Sequence, residues 1–373
     1  MATVVPGEWD RARIVAARPP RTTALDPFKP HAFFLEDELN ASSRVVSSGT
    51  ILLTNKECPW RCLMCDLWKN TLSETVPLGA IPRQIEFALA QLGGEPEQIK
   101  LYNSGSFFDP AAIPLADYPE IARRVSFAKH VVVESHPRLV GEKALRLRDL
   151  LSGSLEVALG LETIHPQVLP RLNKRFSLDH FSRAAEFLRN QGIAMRAFVL
   201  VKPPFLDDAE GIEWAAKSAA FAFSCGAAVV SLIPTRGGNG ALEQLQAAEN
   251  FTPPKLATLE QALEKTLSLV RWRDGARASA GFKVQCGEAL EISRQPALGA
   301  LKRRERRAPL PPSEVRAIPQ TTAKAGRVFA DTWDLKQFSN CSACFEKRRQ
   351  RLFAMNLSQT ITPRIDCEIC GGT

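Results

Sequence analysis

The chain has 373 residues, of which 45% are hydrophobic, and a formal net charge of +8 at pH 7. This length supports one large core with appendages, and the basic excess permits an anionic partner. No apolar run is long enough to span a bilayer and the N-terminus lacks a signal-peptide apolar region, so the sequence predicts a soluble cytoplasmic protein without membrane contact.

The first 48 residues are interrupted by prolines, which break any long helix. Phe28, Phe33 and Phe34 indicate that this N-terminal extension packs on the body of the protein. Its arginines could contact an anion or could be solvated surface; they are Arg11, Arg13, Arg18 and Arg21.

Residues 49–293 alternate strand-length apolar runs with helix-length amphipathic runs, which predicts a parallel sheet with right-handed helical crossovers. The predicted strands are 50–54, 99–103, 131–134, 155–161, 195–201 and 228–233, with a further candidate at 282–285. The predicted helices are 81–92, 118–127, 142–151, 178–190, 209–223 and 255–270.

Residues 58–65, CPWRCLMC, place Cys58, Cys62 and Cys65 in a loop directly after the first of these strands. Three thiolates in so short a loop can converge on one soft metal centre. A structural zinc takes four ligands, and the next cysteine is distant, at position 225. A four-iron cluster held by three thiolates keeps one iron open. Chance proximity, or a zinc site that borrows a distant ligand, is the alternative interpretation.

This spacing after the first strand of an α/β chain resembles the radical S-adenosylmethionine (SAM) superfamily. The resemblance implies a partial (β/α)6 barrel, a 4Fe-4S cluster on the three cysteines, and SAM bound at the open iron. It also implies reductive cleavage of SAM to a 5′-deoxyadenosyl radical, with an electron donor such as a flavodoxin or ferredoxin. Met64 departs from the aromatic residue that many members carry before the third cysteine.

Other candidate residues lie where predicted strands end, the usual place for reactive groups in β/α barrels. The resemblance implies that Ser104 and Gly105, within YNSGSFFD, present backbone carbonyls to the SAM amino group. It likewise implies that Glu162 contacts SAM or its ribose. Glu134 could accept a hydrogen bond from SAM or support Arg138, and either carboxylate could simply favour a helix N-terminus. Arg196, at the start of the fifth predicted strand, could balance the SAM carboxylate or bind substrate.

After residue 293 the composition changes. Residues 294–320 are typical of a basic, proline-rich linker, and residues 321–373 of a compact metal-binding unit. Two CxxC pairs can place four sulfurs on zinc or on an auxiliary iron–sulfur cluster; they are Cys341, Cys344, Cys367 and Cys370. The basic run 346–353 between them could contact nucleic acid or form a solvated helix face.

Taken together, the phrases at residues 54–65, 102–109, 134–137 and 160–163 resemble the archaeosine synthase radical subunits and their relatives, and Gly160-x-Glu162 resembles the elongator and methylthiotransferase branch. The resemblance implies action on a modified nucleoside in tRNA. Two alternatives stay open: the same chemistry in small-molecule or peptide biosynthesis, and a metal-stabilised nucleic-acid-binding protein without radical activity.

Overall fold

The computed structural model describes residues 9–21, 24–275 and 326–370. Its centre is one eight-stranded sheet whose strands neighbour each other in chain order, β1 to β8. The strands are β1 (Ala32–Leu39), β2 (Val45–Leu52), β3 (Gln98–Tyr102), β4 (His130–Ser135), β5 (Ser154–Glu162), β6 (Ala194–Val201), β7 (Val229–Pro234) and β8 (Arg327–Ala330).

The strands β2 to β8 pair in parallel, whereas β1 pairs with β2 in the antiparallel sense. The sheet curls until side chains bridge its two edges, although β1 and β8 do not pair: the Arg327 guanidinium donates to the Leu39 carbonyl at 2.6 Å, and the Phe34 and Trp333 rings lie 4.9 Å apart. The predicted fold class, a partial α/β barrel, is therefore confirmed.

The α-helices of the described residues are α1 (Arg11–Ala16), α2 (Ala80–Leu89), α3 (Tyr118–Arg124), α4 (Glu142–Leu150), α5 (Val168–Arg171), α6 (Leu178–Asn190), α7 (Asp208–Ser224), α8 (Ala241–Ala247), α9 (Leu256–Gly275) and α10 (Ser342–Ser358). Short 3₁₀ turns lie at Leu67–Asn70, Leu115–Asp117, Pro137–Leu139 and Leu335–Phe338. In the part of the chain that the structure describes, no helix is both long and apolar enough for a bilayer span.

The helix α6 shows how the outer layer forms. Its buried residues, Phe181, Ala184, Ala185 and Leu188, repeat at helical spacing and pack on the sheet. At its start, the His180 Nδ1 accepts a hydrogen bond from the Ser177 backbone at 3.1 Å, which satisfies an otherwise unpaired donor. Full burial of a side chain such as Phe181 contributes about 1.5–3 kcal/mol to stability.

All six predicted strands occur, with end shifts of a few residues, but the strands β1 and β8 were not predicted. The strand β1 was not predicted because Glu36 and Glu38 occupy alternate positions at which a strand pattern would have apolar side chains. The strand β8 has only four residues. The candidate strand 282–285 and the predicted linker 294–320 lie outside the described residues.

The inside of the barrel carries a buried charge network on β1, β3, β5 and β6. Arg196 contacts Glu38 at 2.6 Å and Glu156 at 2.6 Å, and Lys100 contacts Glu38 at 2.5 Å and Glu36 at 2.6 Å. Burial opposes the charged form of Glu156, but the Arg196 charge and the hydrogen bond and charge of His130 together outweigh it and lower the pKa of Glu156 to about 2. The opposed charges therefore stabilise one another in the barrel interior.

We expect Arg196→Leu to lower the free energy of unfolding by about 3–5 kcal/mol, because Glu38 and Glu156 would be left buried without their shared cation. Denaturant titration measures the loss. Arg123→Leu is the matched control, since Arg123 pairs with Glu120 on the exposed surface of α3, and it should unfold like the wild type. Equal stability of the two variants would contradict a structural role for the network.

Candidate functional site

The three loop cysteines lie on one cavity. Cys58, Cys62 and Cys65 follow the C-terminal end of β2 and line a cavity of about 460 Å³. Predicted residues from the loop after β3 and from the C-terminal ends of β4 and β5 line the same cavity, namely Ser104, Gly105, Glu134 and Glu162. The ends of neighbouring parallel strands thus bring distant parts of the sequence to one place.

Polar side chains from other loops hold the cysteine loop, which has little regular structure of its own. The Asn239 amide, after β7, donates to the Leu63 carbonyl at 2.7 Å. The Asn173 amide, after β5, donates to the Arg61 carbonyl at 2.7 Å. These contacts pair backbone groups that would otherwise cost free energy. They fix the loop from two sides.

An aromatic stack also anchors the loop. Trp60 lies parallel to His136, which follows β4, with ring centroids 3.8 Å apart. The His136 Nε2 lies 3.0 Å from the Lys174 carbonyl. Burial, and then the nearby Lys174 charge, lower the pKa of His136 to about 3, so this ring is neutral at neutral pH. Its role is to pack and to position Trp60.

Burial controls the chemistry of the three thiols. It raises the pKa of Cys58 to about 11 and of Cys65 to about 12, and it raises the pKa of Cys62 strongly. Thiolates in this site therefore need a compensating cation. Metal ions supply such a charge, and thiols lose their protons when they bind metal.

The spacing of the loop sulfurs distinguishes a site for a single metal ion from a site for a multi-iron cluster. In the described residues, the C-terminal cysteines have ligand atoms that all lie within 4.8 Å of one another. The loop cysteines form no such group with each other or with any histidine or acidic side chain that the structure describes. A single ion needs its ligands that close together, whereas a multi-iron cluster binds each thiolate on a different iron. The loop therefore fits a cluster better than a lone zinc ion.

The loop after β3 lies directly against Cys58. A Cβ atom on Gly105 would lie 3.2 Å from the Cys58 Cβ, so only glycine allows this approach without a shift. Ser104 has a left-handed backbone, with φ of 55°. The Glu134 carboxylate accepts from the Asn103 backbone at 2.5 Å and from the Gly105 backbone at 3.4 Å. Glu134 therefore fixes the loop that carries the predicted SAM contacts.

The predicted alternative partner of Glu134 lies elsewhere, because the Arg138 guanidinium donates to the Arg175 carbonyl at 3.3 Å. Burial raises the pKa of Glu134, and the backbone donors only partly offset that rise.

Glu162 pairs with a lysine that the sequence analysis missed. Its backbone has φ of 64° at an irregularity in the β5–β6 register. Its carboxylate contacts the Lys174 ammonium, which also donates to the Gly160 carbonyl at 2.7 Å. Burial disfavours the Lys174 charge, but Glu162 together with the nearby Cys62 and Cys58 outweighs burial, and the pKa of Lys174 is raised. The signal available in the sequence was a lysine shortly after the fourth predicted strand.

Arg196 lines the cavity at the opposite end of the barrel. It is the third residue of β6, near the N-terminal end, and its charge is shared by Glu38 and Glu156. The cysteine loop follows the C-terminal end of β2. The buried cation beside the cysteines is instead Lys174, whose charge favours the thiolates of Cys58 and Cys62.

The C-terminal cysteines form a compact four-sulfur group. The Sγ atoms of Cys341 and Cys367 lie 3.8 Å apart, and those of Cys344 and Cys370 lie 3.6 Å apart. All four lie within 4.8 Å of one another and are free thiols. This arrangement can bind a metal ion.

The basic run 346–353 lies on α10. Two of its arginines, Arg348 and Arg351, match neither of the two roles predicted for the run. Arg348 contacts Glu260 of α9 at 2.5 Å, and Arg351 contacts Glu264 at 2.6 Å. Both arginines are buried, so they are neither a solvated face nor a nucleic-acid contact. They attach the four-cysteine unit to α9. The same helix, α10, places Phe353 and Asn356 in the cavity wall.

We expect Gly105→Ala to weaken cluster retention by about 1–3 kcal/mol, the usual cost of overpacking, which is about 5- to 150-fold. Iron per chain during a chelator challenge after anaerobic reconstitution measures it. Gly94→Ala is the matched control, because its added Cβ would meet nothing within 4 Å. Wild-type iron retention by Gly105→Ala would show that the close approach to Cys58 does not matter.

No protein-family model matches the chain. An uncharacterized protein of Methanocaldococcus jannaschii is 25% identical over 255 residues, which cover 64% of this chain and 70% of that protein. The archaeosine synthase subunit beta of Methanosarcina acetivorans is 27% identical over 175 residues, 44% of this chain and 51% of the relative. Its counterpart in Thermococcus kodakarensis is 30% identical over 169 residues, which cover 42% of this chain and 51% of the relative. The chain thus spans about half the length of these archaeosine synthase subunits.

Two solved structures are also similar. The queuine lyase of Clostridium spiroforme, bound to SAM and queuine, matches with a TM-score of 0.39 and 19% identity over 53% of this chain and 78% of that one. The archaeal Elp3 of Methanocaldococcus infernus matches with a TM-score of 0.41 and 16% identity over 50% of this chain and 49% of that one. The sequence similarity to the archaeosine synthase subunits, with a three-cysteine loop at the strand ends of a curled α/β sheet, relates this chain to the radical S-adenosylmethionine superfamily of enzymes.

Proposed function

We propose that this protein is a radical-SAM enzyme whose 4Fe-4S cluster is held by Cys58, Cys62 and Cys65. The observation that carries the proposal is the position of these thiols, which share one cavity at the strand ends but are not spaced for a single ion. When bound, the cluster and SAM supply a one-electron cleavage that yields a 5′-deoxyadenosyl radical, with the electron from a donor such as a flavodoxin or ferredoxin.

The residues around the cysteines suit the binding of SAM. Ser104 and Gly105 would offer backbone groups to its amino acid part, in a loop that Glu134 holds against Cys58. Glu162, held by Lys174, would accept from the ribose hydroxyls. The chain thereby orients the cofactor and excludes water from the reacting atoms. Arg196 is left out of this set because its charge is already neutralised at the other barrel end.

For the substrate, we propose a modified nucleoside within tRNA. The support is the similarity to the archaeosine synthase beta subunits. A cavity of about 460 Å³ is of the size that binds small molecules and could admit one extruded nucleoside. Hydrogen abstraction from that nucleoside would be the reaction class.

Cys58→Ala, Cys62→Ala or Cys65→Ala should each abolish SAM cleavage, since two thiolates cannot keep the cluster. Formation of 5′-deoxyadenosine by the anaerobically reconstituted, chemically reduced protein measures it. Cys225→Ala is the matched control: this cysteine is buried in the core away from the loop, and its loss should leave cleavage intact. Retained cleavage in any loop variant would refute the cluster assignment.

The tRNA part of the proposal is tested in the same assay. Unfractionated tRNA from an organism that carries the modification should increase 5′-deoxyadenosine formation by the wild type. If tRNA neither stimulates cleavage nor is retained by the protein, the nucleoside substrate is wrong although the enzyme class stands. Wild-type protein that cannot be loaded with iron would support a binding protein without radical activity.

We further propose that the C-terminal cysteines hold one zinc ion and no second cluster. Four thiolates bound tetrahedrally at about 2.3 Å have their sulfurs about 3.8 Å apart. The pairs at 3.8 Å and 3.6 Å agree with that edge length. The irons of a cluster would spread the sulfurs farther.

We expect one zinc per chain in the wild type and none in Cys367→Ser, with the mutation lowering the unfolding temperature because the ion joins the tail to the start of α10. Elemental analysis and thermal unfolding measure these changes, again with Cys225→Ala as the control. Twice the iron of one cluster and no zinc would show an auxiliary cluster instead.

A further inference from the structure

The N-terminal arm, residues 9–21, lies against the cysteine loop. Ile14 of α1 packs in one apolar cluster with Leu63 of that loop and Leu242 of α8. The end of α1 lies so close to the loop after β7 that a Cβ on Gly240 would clash with the Ala17 carbonyl. The arm therefore brings its arginines next to the metal-binding loop.

Three guanidinium groups meet one carboxylate at this place. Glu57 contacts Arg18 at 2.8 Å, Arg61 at 3.3 Å and Arg21 at 3.4 Å. Among the residues that the structure describes, these are all the ion pairs of the three arginines. Arg18 and Arg21 also lie over the Trp68 ring, at 4.6 Å and 5.9 Å from its centre. We call Arg18, Arg21, Arg61, Glu57 and Trp68 the arginine cluster.

The arginine cluster has too few acceptors for its donors. Each guanidinium carries five N–H donors and no acceptor, whereas Glu57 offers two oxygens. The Nε atoms of Arg18 and Arg61 and the Nε1 of Trp68 are buried with no hydrogen-bond partner. Unpaired buried donors cost about 1–3 kcal/mol each. The cluster is thus short of negative charge and of oxygen atoms at the same time.

A tetrahedral oxyanion supplies both the negative charge and the acceptor oxygens that the arginine cluster lacks. We propose that the arginine cluster binds a phosphate of the RNA backbone, a step that rests on the proposed tRNA-modifying function and names its partner surface. A phosphate accepts several charge-assisted hydrogen bonds and matches the planar fork of arginine. Arg61 also donates to the Trp60 carbonyl at 3.0 Å, inside the cysteine loop, so the phosphate is bound close to the cavity-lining cysteines.

The remainder of the arm favours a polynucleotide over a single phosphate ion. Residues 9–21 contain four arginines and one aspartate. Two of these arginines, Arg11 and Arg13, lie on the exposed side of α1 and extend the positive charge beyond the cluster. A row of cations suits a chain of phosphates.

The test is the salt dependence of RNA binding by the full-length, iron-loaded protein. The probe is unfractionated tRNA, followed by fluorescence anisotropy at increasing potassium chloride. Arg18→Gln with Arg21→Gln should reduce the slope of log affinity against log salt by about 1, because the cluster neutralises one phosphate. Arg123→Gln, which removes an equally charged, carboxylate-paired arginine from α3, should leave the slope unchanged. An unchanged slope in the double variant overturns the proposal.

Two further measurements distinguish RNA binding from a small-phosphate site and from a purely structural role of the arginines. If inorganic phosphate binds the wild type and not the double variant while the tRNA slope stays the same, the site takes a small phosphate and the RNA assignment is overturned. If iron per chain falls in the double variant but the tRNA slope stays the same, the arginines serve the cysteine loop alone. Because tRNA binding is measured without SAM turnover, absent SAM cleavage would refute the proposed enzyme and leave this result readable.

Discussion

The structure depends on how the cysteine loop is held. A loop that carries three thiols cannot bind a cluster unless its backbone is fixed, and residues 58–65 form no helix or strand of their own. Loops that follow other strands fix it, through Asn239, Asn173, the stack on His136 and the contact of Gly105 with Cys58. Parallel strands make this possible because all their C-terminal ends lie at one edge of the sheet.

Charge is distributed unequally between the two ends of the barrel. At the N-terminal end, Arg196 and Lys100 are neutralised by Glu38, Glu156 and Glu36, so this network stabilises the interior. At the cysteine end, Lys174 is paired with Glu162, whereas the three arginines of the arginine cluster share the single carboxylate of Glu57. Positive charge at that end suits thiolates, a SAM carboxylate and, in our proposal, RNA phosphates.

The C-terminal unit belongs to the barrel rather than to a separate body. It supplies β8 as the last strand, and α10 docks on α9 through the buried pairs of Arg348 and Arg351 with acidic residues. The proposed zinc ion would join the start of α10 to the tail, and α10 in turn carries Phe353 to the cavity wall. The metal would thus act on the cavity through the packing of one helix.

The sequence alone determined the six core strands, because apolar runs and helical periodicity are local signals, and it determined both cysteine groups, because their spacing is local too. It did not reveal β1, whose glutamates are explained only by Lys100 and Arg196 from distant strands. The pairing of Glu57 with Arg18 and Arg21 was likewise decided by tertiary structure, since residues of the N-terminal arm meet the cysteine loop only in the folded chain. Local chemistry can be read from neighbouring residues, but the partner of a buried charge depends on which strand ends come together.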